Sequence, residues 1–182
     1  MSDVTDGEQS AGDLAASDWT EWNSVWALAV VFGLASVPWT YAFVAGLQIP
    51  LWPSFIASAT FYATDDDGLV GLKRGYASNL AGIVYAAATL AIVEGVLGGG
   101  VVALSVVVGA FMFLASLHEF VPLLSFTPGG FFGYATMFSV NAAGETAVGV
   151  TGLPGETLAA VLSMLLGACI GLGTKQLSEC LT

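Results

Sequence analysis

Charged residues are scarce in this sequence, and basic residues are the scarcest. Of 182 residues only 9% are charged, and 3 Lys and Arg stand against 14 Asp and Glu, for a net charge of −11. A chain this acidic would repel phosphate, so we expect no nucleic acid as a partner. The hydrophobic share of 56% and the mean hydropathy of +0.83 exceed what a soluble domain of this length could bury. The composition therefore predicts an integral membrane protein whose partner is the lipid bilayer.

Residues that commonly carry chemistry are also few. The chain has 1 histidine and 2 cysteines, and the positions of Cys169 and Cys180 favour neither a metal site nor a disulfide framework. It contains no nucleophile motif and no phosphate-binding glycine loop after a strand. We therefore expect no enzyme activity, no metal and no cofactor.

The acidic residues are concentrated in the head of the chain and in one aspartate run. Residues 1–23 combine acids with Ser, Ala and Gly and show no apolar periodicity, which predicts a disordered cytoplasmic tail. The head also lacks the order of a cleavable signal peptide, so we expect the first span to remain. The run at 65–67 lacks the spacing of a calcium loop. A solvated surface, such as that of an organism with high internal salt, explains it better.

Four apolar stretches are long enough to cross about 30 Å of hydrocarbon as helices. These stretches are 24–46, 76–97, 101–121 and 158–174. Between them lie two short phrases, 53–63 and 128–139, which both open at a proline and carry Phe, a small residue and Ala-Thr at matching places. A shift of 76 positions takes Phe55 to Phe131, and three glycines at 98–100 mark the midpoint. The pattern indicates a duplicated unit, although chance similarity between membrane helices is the alternative.

A helix over 53–63 is only about 17 Å long and cannot cross alone. An extended piece at 46–52 could complete a broken span, and a re-entrant half-helix is the alternative. Basic residues collect on the cytoplasmic side, and six crossings would put Lys73, Arg74 and Lys175 there together with the N-terminus. Two re-entrant segments would separate them onto opposite faces, so six crossings are favoured.

The sequence therefore predicts an all-α integral membrane protein, multi-pass in the plasma membrane, with about six transmembrane segments of which two are short or broken. A repeat of three crossings must return inverted, which gives a 3+3 inverted repeat of residues 24–97 and 101–177. The repeats form a single membrane domain, 24–177, followed by a polar tail, 178–182, with both termini cytoplasmic. Six short segments make a narrow bundle, so a homo-oligomer is also expected.

The site prediction rests on backbone chemistry. A helix that begins within the membrane exposes unpaired N–H groups and the positive end of its dipole, and Pro53 and Pro128 suit such a first turn. Two inverted copies would bring both starts toward the midplane, with Phe as a constriction and hydroxyls as hydrogen-bonding groups. Tight helix starts packed against neighbours are the alternative. The pathway or solute-binding candidates are Ser54, Phe55, Thr60, Asn79, Gly130, Phe131 and Thr136.

Four other polar residues lie within or beside apolar stretches. His118 and Glu119 point about 100° apart on a helix, so they form no acid–base pair. They are interpreted as interfacial anchors or a cap before the next proline, or as gating candidates. Glu94 is interpreted as a surface carboxylate, and Gln48 as a polar wall of the path.

Several of these segments resemble a known family. They are Pro38-Trp39 in the first span, the phrase from Phe55 to Ala63, Asn79-x-x-Gly82, and the stretch from Leu124 to Gly133 (LSFTPGGFFG), which is the most specific. Over about residues 26–174 the chain resembles the small bacterial inner-membrane proteins catalogued as domain of unknown function 1097. The resemblance implies a compact multi-span membrane protein of unassigned activity and carries over no functional residues. The acidic head departs from the family's shorter starts.

Two functions from different classes fit these observations. The first is a channel or facilitator for a small uncharged solute, because broken helices and few buried charges suit passive passage. The second is a non-transporting membrane scaffold or accessory subunit, which the small number of polar residues favours.

Overall fold

The computed structural model describes residues 11–64 and 66–182, and for residues 11–22 it describes the backbone only. This part of the chain is helical and contains no strand, which confirms the predicted all-α class. The helices are α1 (Ala11–Tyr41), α2 (Trp52–Ala63), α3 (Gly68–Gly95), α4 (Val101–Ser116), α5 (Thr127–Ala143) and α6 (Gly152–Glu179). A π-helix, Ala42–Leu47, continues α1, and a 3-10 turn, Leu117–Phe120, follows α4.

Four helical segments are long and apolar enough to cross a bilayer. They are Asn23–Leu47, Gly68–Gly95, Val101–Phe120 and Gly152–Glu179. The other two helices are shorter, with 12 residues in α2 and 17 in α5. At about 1.5 Å per residue α2 is about 18 Å long, well short of the hydrocarbon thickness. The chain is thus a multi-pass α-helical membrane protein with four candidate spans.

Three helices extend beyond the boundaries that hydropathy predicted. α3 begins at Gly68 instead of residue 76, and α6 covers Gly152–Glu179 instead of 158–174. Hydropathy identifies only the part of a helix that is apolar enough for hydrocarbon. The first turns of α3 lie outside that part because they contain Arg74, which forms an ion pair with Asp66 at 2.6 Å. α1 begins at Ala11, so the tail predicted to be disordered is helical from there, where alanine and leucine are good helix formers. The rest of that prediction, residues 1–10, and Asp65 lie outside the described residues.

The connection between α1 and α2 is shorter than predicted and mostly helical. The expected extended piece at 46–52 is wrong, because the π-helix runs through Leu47 and only residues 48–51 are non-helical. Gln48 ends the π-helix with a left-handed backbone, φ 53° and ψ 41°. Helical hydrogen bonds satisfy the backbone in apolar surroundings, which an extended strand could not do alone.

The short helices each pack against one long helix. α2 packs chiefly on α6 and α5 chiefly on α3, while α3 and α6 contact each other; α1 flanks α6 and α4 flanks α3. Backbones touch in both pairs, since a Cβ on Gly82 would lie 2.0 Å from the Gly130 carbonyl oxygen and one on Gly167 would lie 2.0 Å from that of Ser54. Small residues allow such approach in membranes, where packing holds helices together.

Contacts between connections define two ends of the bundle. At one end, called the tail end, Lys175 of α6 pairs with Asp67 before α3, and a surface depression joins Trp26 of α1 to Thr182. At the other, called the cavity end, the indole N–H of Trp52 donates to Glu145 in the α5–α6 connection at 3.1 Å. One end of the bundle therefore contains the start of the first candidate span, near Trp26, together with the α2–α3 connection and the C-terminus.

Candidate functional site

Polar side chains with no exposed surface run through the centre of the helix bundle. Each has 0% relative exposure: Ser54, Ser58, Thr60, Ser78, Asn79, Thr136 and Ser163. They come from α2, α3, α5 and α6, the four helices that form the two packed pairs. Since lipid offers no hydrogen bonds, such groups must find partners inside the protein or in what the protein binds.

The start of α2 has its polar side chains paired. The indole N–H of Trp39 donates to Ser54 Oγ at 2.9 Å, and Ser54 Oγ donates to the Leu51 carbonyl. From α6, Ser163 Oγ donates to the Pro50 carbonyl at 2.6 Å. These bonds close the first of the two helix starts with side chains from α1 and α6.

The centre and the start of α5 are different. Four buried side-chain atoms around that start have no hydrogen-bond partner in the described part of the chain, and they are called the cluster: Ser78 Oγ, Asn79 Nδ2, Thr127 Oγ1 and His118 Nδ1. Thr136 Oγ1 and Ser58 Oγ, which lies against Gly171 of α6, are also unpaired. Leaving such an atom unpaired costs about 1–3 kcal/mol, so these atoms need ordered water or a bound molecule as partners. The two repeated phrases thus differ at their helix starts.

Asn79 of α3 is close to both short helices. Its Oδ1 lies near Thr60 of α2 and 3.4 Å from where a Cβ on Gly129 of α5 would be. Thr60 Oγ1 lies 2.9 Å from the Ile56 carbonyl oxygen and 3.3 Å from Asn79 Oδ1, but a hydroxyl has only one proton to donate. If that proton goes to Ile56, the Asn79 amide is better placed with its O and N exchanged, so that its NH2 group donates to Thr60 Oγ1. The hydrogen-bond network determines this choice of amide orientation. In either orientation one amide atom of Asn79 remains without a partner.

His118 contacts the cluster from the 3-10 turn, which lies outside the α3–α5 pair. The 3-10 turn after α4 brings its ring against α3, where Tyr85 OH lies 3.0 Å from Nε2. Its Nδ1 faces the first turn of α5, 3.5 Å from where a Cβ on Gly130 would be. His118 is 3% exposed and thus buried within the protein, whereas Glu119 points outward and is exposed.

A cavity of about 540 Å³ opens at the cavity end of the bundle. It is lined by the α1–α2 connection, including Gln48, by Trp52 at the start of α2, and by Glu145 and Thr146. Phe55 lines its wall, and the ring of Trp39 lies against that of Phe55 with centroids 4.3 Å apart. Aromatic side chains therefore form part of the cavity wall.

Most of the predicted site residues are buried; Thr60 contacts Asn79, whereas Ser54 packs against Gly167 of α6. Ser54, Thr60, Asn79, Gly130 and Thr136 are buried in the bundle, and Phe55 is half-buried beside the cavity. Phe131 does not join them, because it is 40% exposed on the bundle surface. It follows Gly130 by one helical position, about 100° around α5, and Gly130 faces the bundle interior. Its predicted place at the centre is wrong for that reason.

Sequence reasoning missed several of the buried side chains that have unpaired atoms. Ser58 lies inside the repeated phrase itself, and Ser78 precedes Asn79 in an otherwise apolar stretch. Hydroxyl residues at mid-helix in apolar segments were the signal that could have found them, as could Thr127 beside Pro128. Among the residues whose side chains the structure describes, 23–64 and 66–182, no group of three or more His, Cys, Asp or Glu could hold a metal.

Comparison with known proteins gives one match. Neither the curated proteins nor the solved structures contain a significant match to this chain. A family model described as "Protein of unknown function (DUF1097)" matches residues 27–179, which is most of the chain and agrees with the resemblance noted in the sequence. The protein belongs to the DUF1097 family.

Proposed function

We propose that this protein lets a small uncharged polar solute cross the membrane, along a route from the cavity to the polar groups around Asn79. The observation that carries the proposal is the cluster of buried hydrogen-bonding atoms without protein partners around Asn79 and the start of α5. Buried atoms of this kind bind ordered water or a polar solute, whereas the polar side chains at the start of α2 are paired within the protein. A polar solute would supply the missing hydrogen bonds as it passes.

The chemistry of the cluster favours a neutral solute. Its free atoms belong to hydroxyl, amide and imidazole groups, and the one buried carboxylate of the described residues, Glu156, is bonded to Asn141 at 2.7 Å in the α5–α6 region. A bare ion in such a place would lose its hydration without gaining an opposite charge, which costs several kcal/mol or more. Neutral molecules that donate and accept hydrogen bonds fit the cluster best.

The helix starts favour six crossings built as an inverted repeat. α2 begins beside Ser163, about three turns into α6, and α5 begins beside Ser78, about three turns into α3. Ser54 and Gly130, which are 76 positions apart, each meet a glycine of the partner long helix. Both short helices would then begin within the membrane and run in opposite directions, as in inverted-repeat transporters.

The charges favour a cytoplasmic tail end in the plasma membrane. All three basic residues lie in the first turns of α3 or the last turns of α6, and Arg74 and Lys175 pair with Asp66 and Asp67 at the tail end. Basic residues collect on the cytoplasmic side of bacterial-type membranes, so both termini would be cytoplasmic. The cavity would then open to the outside.

Flux into liposomes tests the proposal. Vesicles containing the protein are compared with empty vesicles for water, urea, glycerol and ammonia, and we expect at least one of these solutes to enter faster. Asn79→Leu should lower that flux about tenfold, the effect of losing one good hydrogen bond along the route. Ser139→Ala is the matched control, because this exposed hydroxyl of α5 bonds only its own helix at Ala135. No flux above empty vesicles for any solute would remove the proposal.

A scaffold or accessory subunit is the second candidate. The observation that favours it is the start of α2, where Trp39 donates to Ser54 and packs its ring against Phe55. A partner recovered in a fixed ratio from membranes, together with no flux in the liposome test, would establish this role instead.

A further inference from the structure

The cavity at the cavity end has one charged side chain in its lining. Its volume of about 540 Å³ is typical of pockets that hold small molecules. Glu145 is the charged residue, and the other polar side chains of the lining belong to Gln48 and Thr146. The remaining lining residues are apolar, and three of them are aromatic: Phe43, Trp52 and Phe55. The cavity thus combines a single carboxylate with an aromatic and aliphatic wall.

The carboxylate of Glu145 is fixed on one side and open on the other. Its Oε2 accepts the indole N–H of Trp52 at 3.1 Å, and its backbone N–H bonds the Val140 carbonyl at 3.2 Å. Its Oε1 has no hydrogen-bond or ion-pair partner in the described part of the chain. Because the indole nitrogen lies so near the carboxylate, a cation that pairs with Glu145 also lies close to the Trp52 ring.

The charges near the cavity are of one sign. α3 starts beside Asp67 at the tail end and has 28 residues, so Glu94 near its last turn lies at the opposite end of the bundle. Glu156 follows Gly155, where a Cβ would lie 3.3 Å from Thr146 Cβ in the cavity lining. The three basic residues of the chain lie at the tail end, in the first turns of α3 or the last turns of α6. A cavity with this charge distribution attracts cations and repels anions.

The lining favours an organic cation over a metal ion. A hard metal ion prefers several oxygen ligands, and no three His, Cys, Asp or Glu come together among the side chains that the structure describes. An alkylated ammonium group is satisfied by one carboxylate, and its methyl groups gain from contact with aromatic rings and from burial.

The start of α2 also lies at the cavity, but it offers an anion few donors. Pro53 has no N–H, and the Ser54 N–H already bonds the Leu51 carbonyl at 3.0 Å. The positive end of this helix dipole is therefore a weak competitor to the carboxylate of Glu145.

We infer that the cavity binds a small organic cation with an alkylated ammonium group, held by Glu145 and by the rings of Trp52 and Phe55. This group occurs both in soluble amines and in the headgroups of choline lipids. A bound cation would remain at the cavity, because the free atoms around Asn79 provide no opposite charge. The inference does not rest on the proposed passage of a neutral solute, although a cation held here would occupy the entrance of that route.

The indole N–H of Trp52 reports occupancy of the cavity. The full-length protein, labelled with 15N-tryptophan in maltoside micelles, is titrated with tetramethylammonium, tert-butanol and pivalate, which share a compact methyl-rich shape and differ in charge. The loss of one resonance in Trp52→Phe identifies the signal. At equal ionic strength we expect tetramethylammonium to move it saturably and the other two probes to have little effect. No saturable shift with tetramethylammonium, or an equal one with either other probe, would overturn the inference.

Two carboxylate variants separate local pairing from the general charge of this end. Glu145→Gln keeps an oxygen for the Trp52 N–H but loses the charge, so tetramethylammonium should bind about tenfold more weakly. Glu94→Gln is the matched control, because this exposed carboxylate does not line the cavity, and it should change the affinity less than about twofold. Unchanged resonances of the other tryptophans verify that each variant is folded. Equal affinities of the two variants would refute the site.

Lipid composition distinguishes the two sources of the ammonium group. Nanodiscs with equal phosphatidylglycerol content are completed with a neutral glycolipid or with phosphatidylcholine. Equal binding of tetramethylammonium in both indicates a soluble ligand, whereas weaker binding with phosphatidylcholine indicates that the lipid headgroup occupies the cavity. Absence of binding in both would remove the site.

Flux and binding can fail separately. Solute entry into liposomes without a shift at Trp52 would leave the proposed function standing and remove this site. A saturable shift without entry of any solute would keep the site and remove passage.

Discussion

Single glycines set how closely the helices of each pair approach. Gly82 in α3 and Gly133 in α5 each face a backbone carbonyl of the other helix, and Gly167 in α6 faces Ser54 in the same way. A flexible side chain could move aside from a new methyl group, but a backbone carbonyl can move only if the helices separate. The stability of the bundle therefore depends on these positions more than on larger apolar residues at its surface.

Replacing Gly82 by alanine should destabilise the protein by about 1–3 kcal/mol, the usual cost of overpacking a tight core. Its Cβ would lie 2.0 Å from the Gly130 oxygen and 2.6 Å from the Tyr134 nitrogen. The free energy of unfolding in mixed micelles, measured by denaturant titration, gives the difference. Gly109→Ala is the matched control and should be neutral or slightly stabilising, since alanine favours helix and the site is open. Equal effects at the two glycines would contradict the close approach.

Ser163→Ala should lower the free energy of unfolding by about 1–3 kcal/mol, because it leaves the buried Pro50 carbonyl without its donor. The same titration measures it. Ser139→Ala removes only a bond to its own exposed helix and should change stability by less than about 0.5 kcal/mol. If the two serines proved equivalent, Ser163 would not hold the start of α2.

Among the elements, the connection from α1 to α2 is the least regular. α1 contains Pro38, changes to a π-helix at Ala42, and ends at Gln48 in a left-handed conformation that a side chain adopts at a cost of about 1–2 kcal/mol. The same segment lines the cavity. A strained connection beside a candidate entrance is typical of segments that move.

Gln48→Gly should stabilise the protein by about 0.5–1 kcal/mol, because glycine adopts the left-handed conformation freely but loses more entropy on folding. Thermal unfolding in detergent would measure the gain. Gln48→Ala removes the amide while keeping a Cβ, so it should bring no gain; stabilisation by alanine alone would assign the effect to the side chain instead of the backbone.

At the scale of the helices, the sequence predicted which helices exist more accurately than it predicted where each helix begins and ends. Proline at 53 and 128 marked both short helices correctly, since proline suits a first turn whatever its surroundings. The start of α3 at Gly68 was missed because an ion pair, between Arg74 and Asp66, depends on the fold and not on local hydropathy. Of the site, Asn79 and Thr60 could be identified as polar residues in apolar helices. The burial of His118 could not, because it follows from how the 3-10 turn places the ring against Tyr85.

For the whole molecule, the two ends of the bundle predict which residues face the same side of the membrane. Asp67 and Thr182 lie at the tail end, and Glu145 lies at the cavity end. Single cysteines at these positions, in a background with Cys169→Ala and Cys180→Ala, can be labelled in oriented vesicles with an impermeant maleimide. We expect Asp67→Cys and Thr182→Cys to react from the cytoplasmic side and Glu145→Cys from the other. Reaction of Asp67→Cys and Glu145→Cys from one side would contradict the six crossings.

The backbone contacts of the glycines also restrict how the molecule can change shape. At Gly82 and Gly133 between α3 and α5, and at Gly167 between α2 and α6, backbone meets backbone and no side chain lies between the helices that could be compressed or rearranged. Each pair should then move as a rigid body, and the α3–α6 contact becomes the plane along which one pair slides or tilts against the other. A disulfide placed across that plane would hold the protein in one state, whereas a disulfide within a pair would restrict nothing.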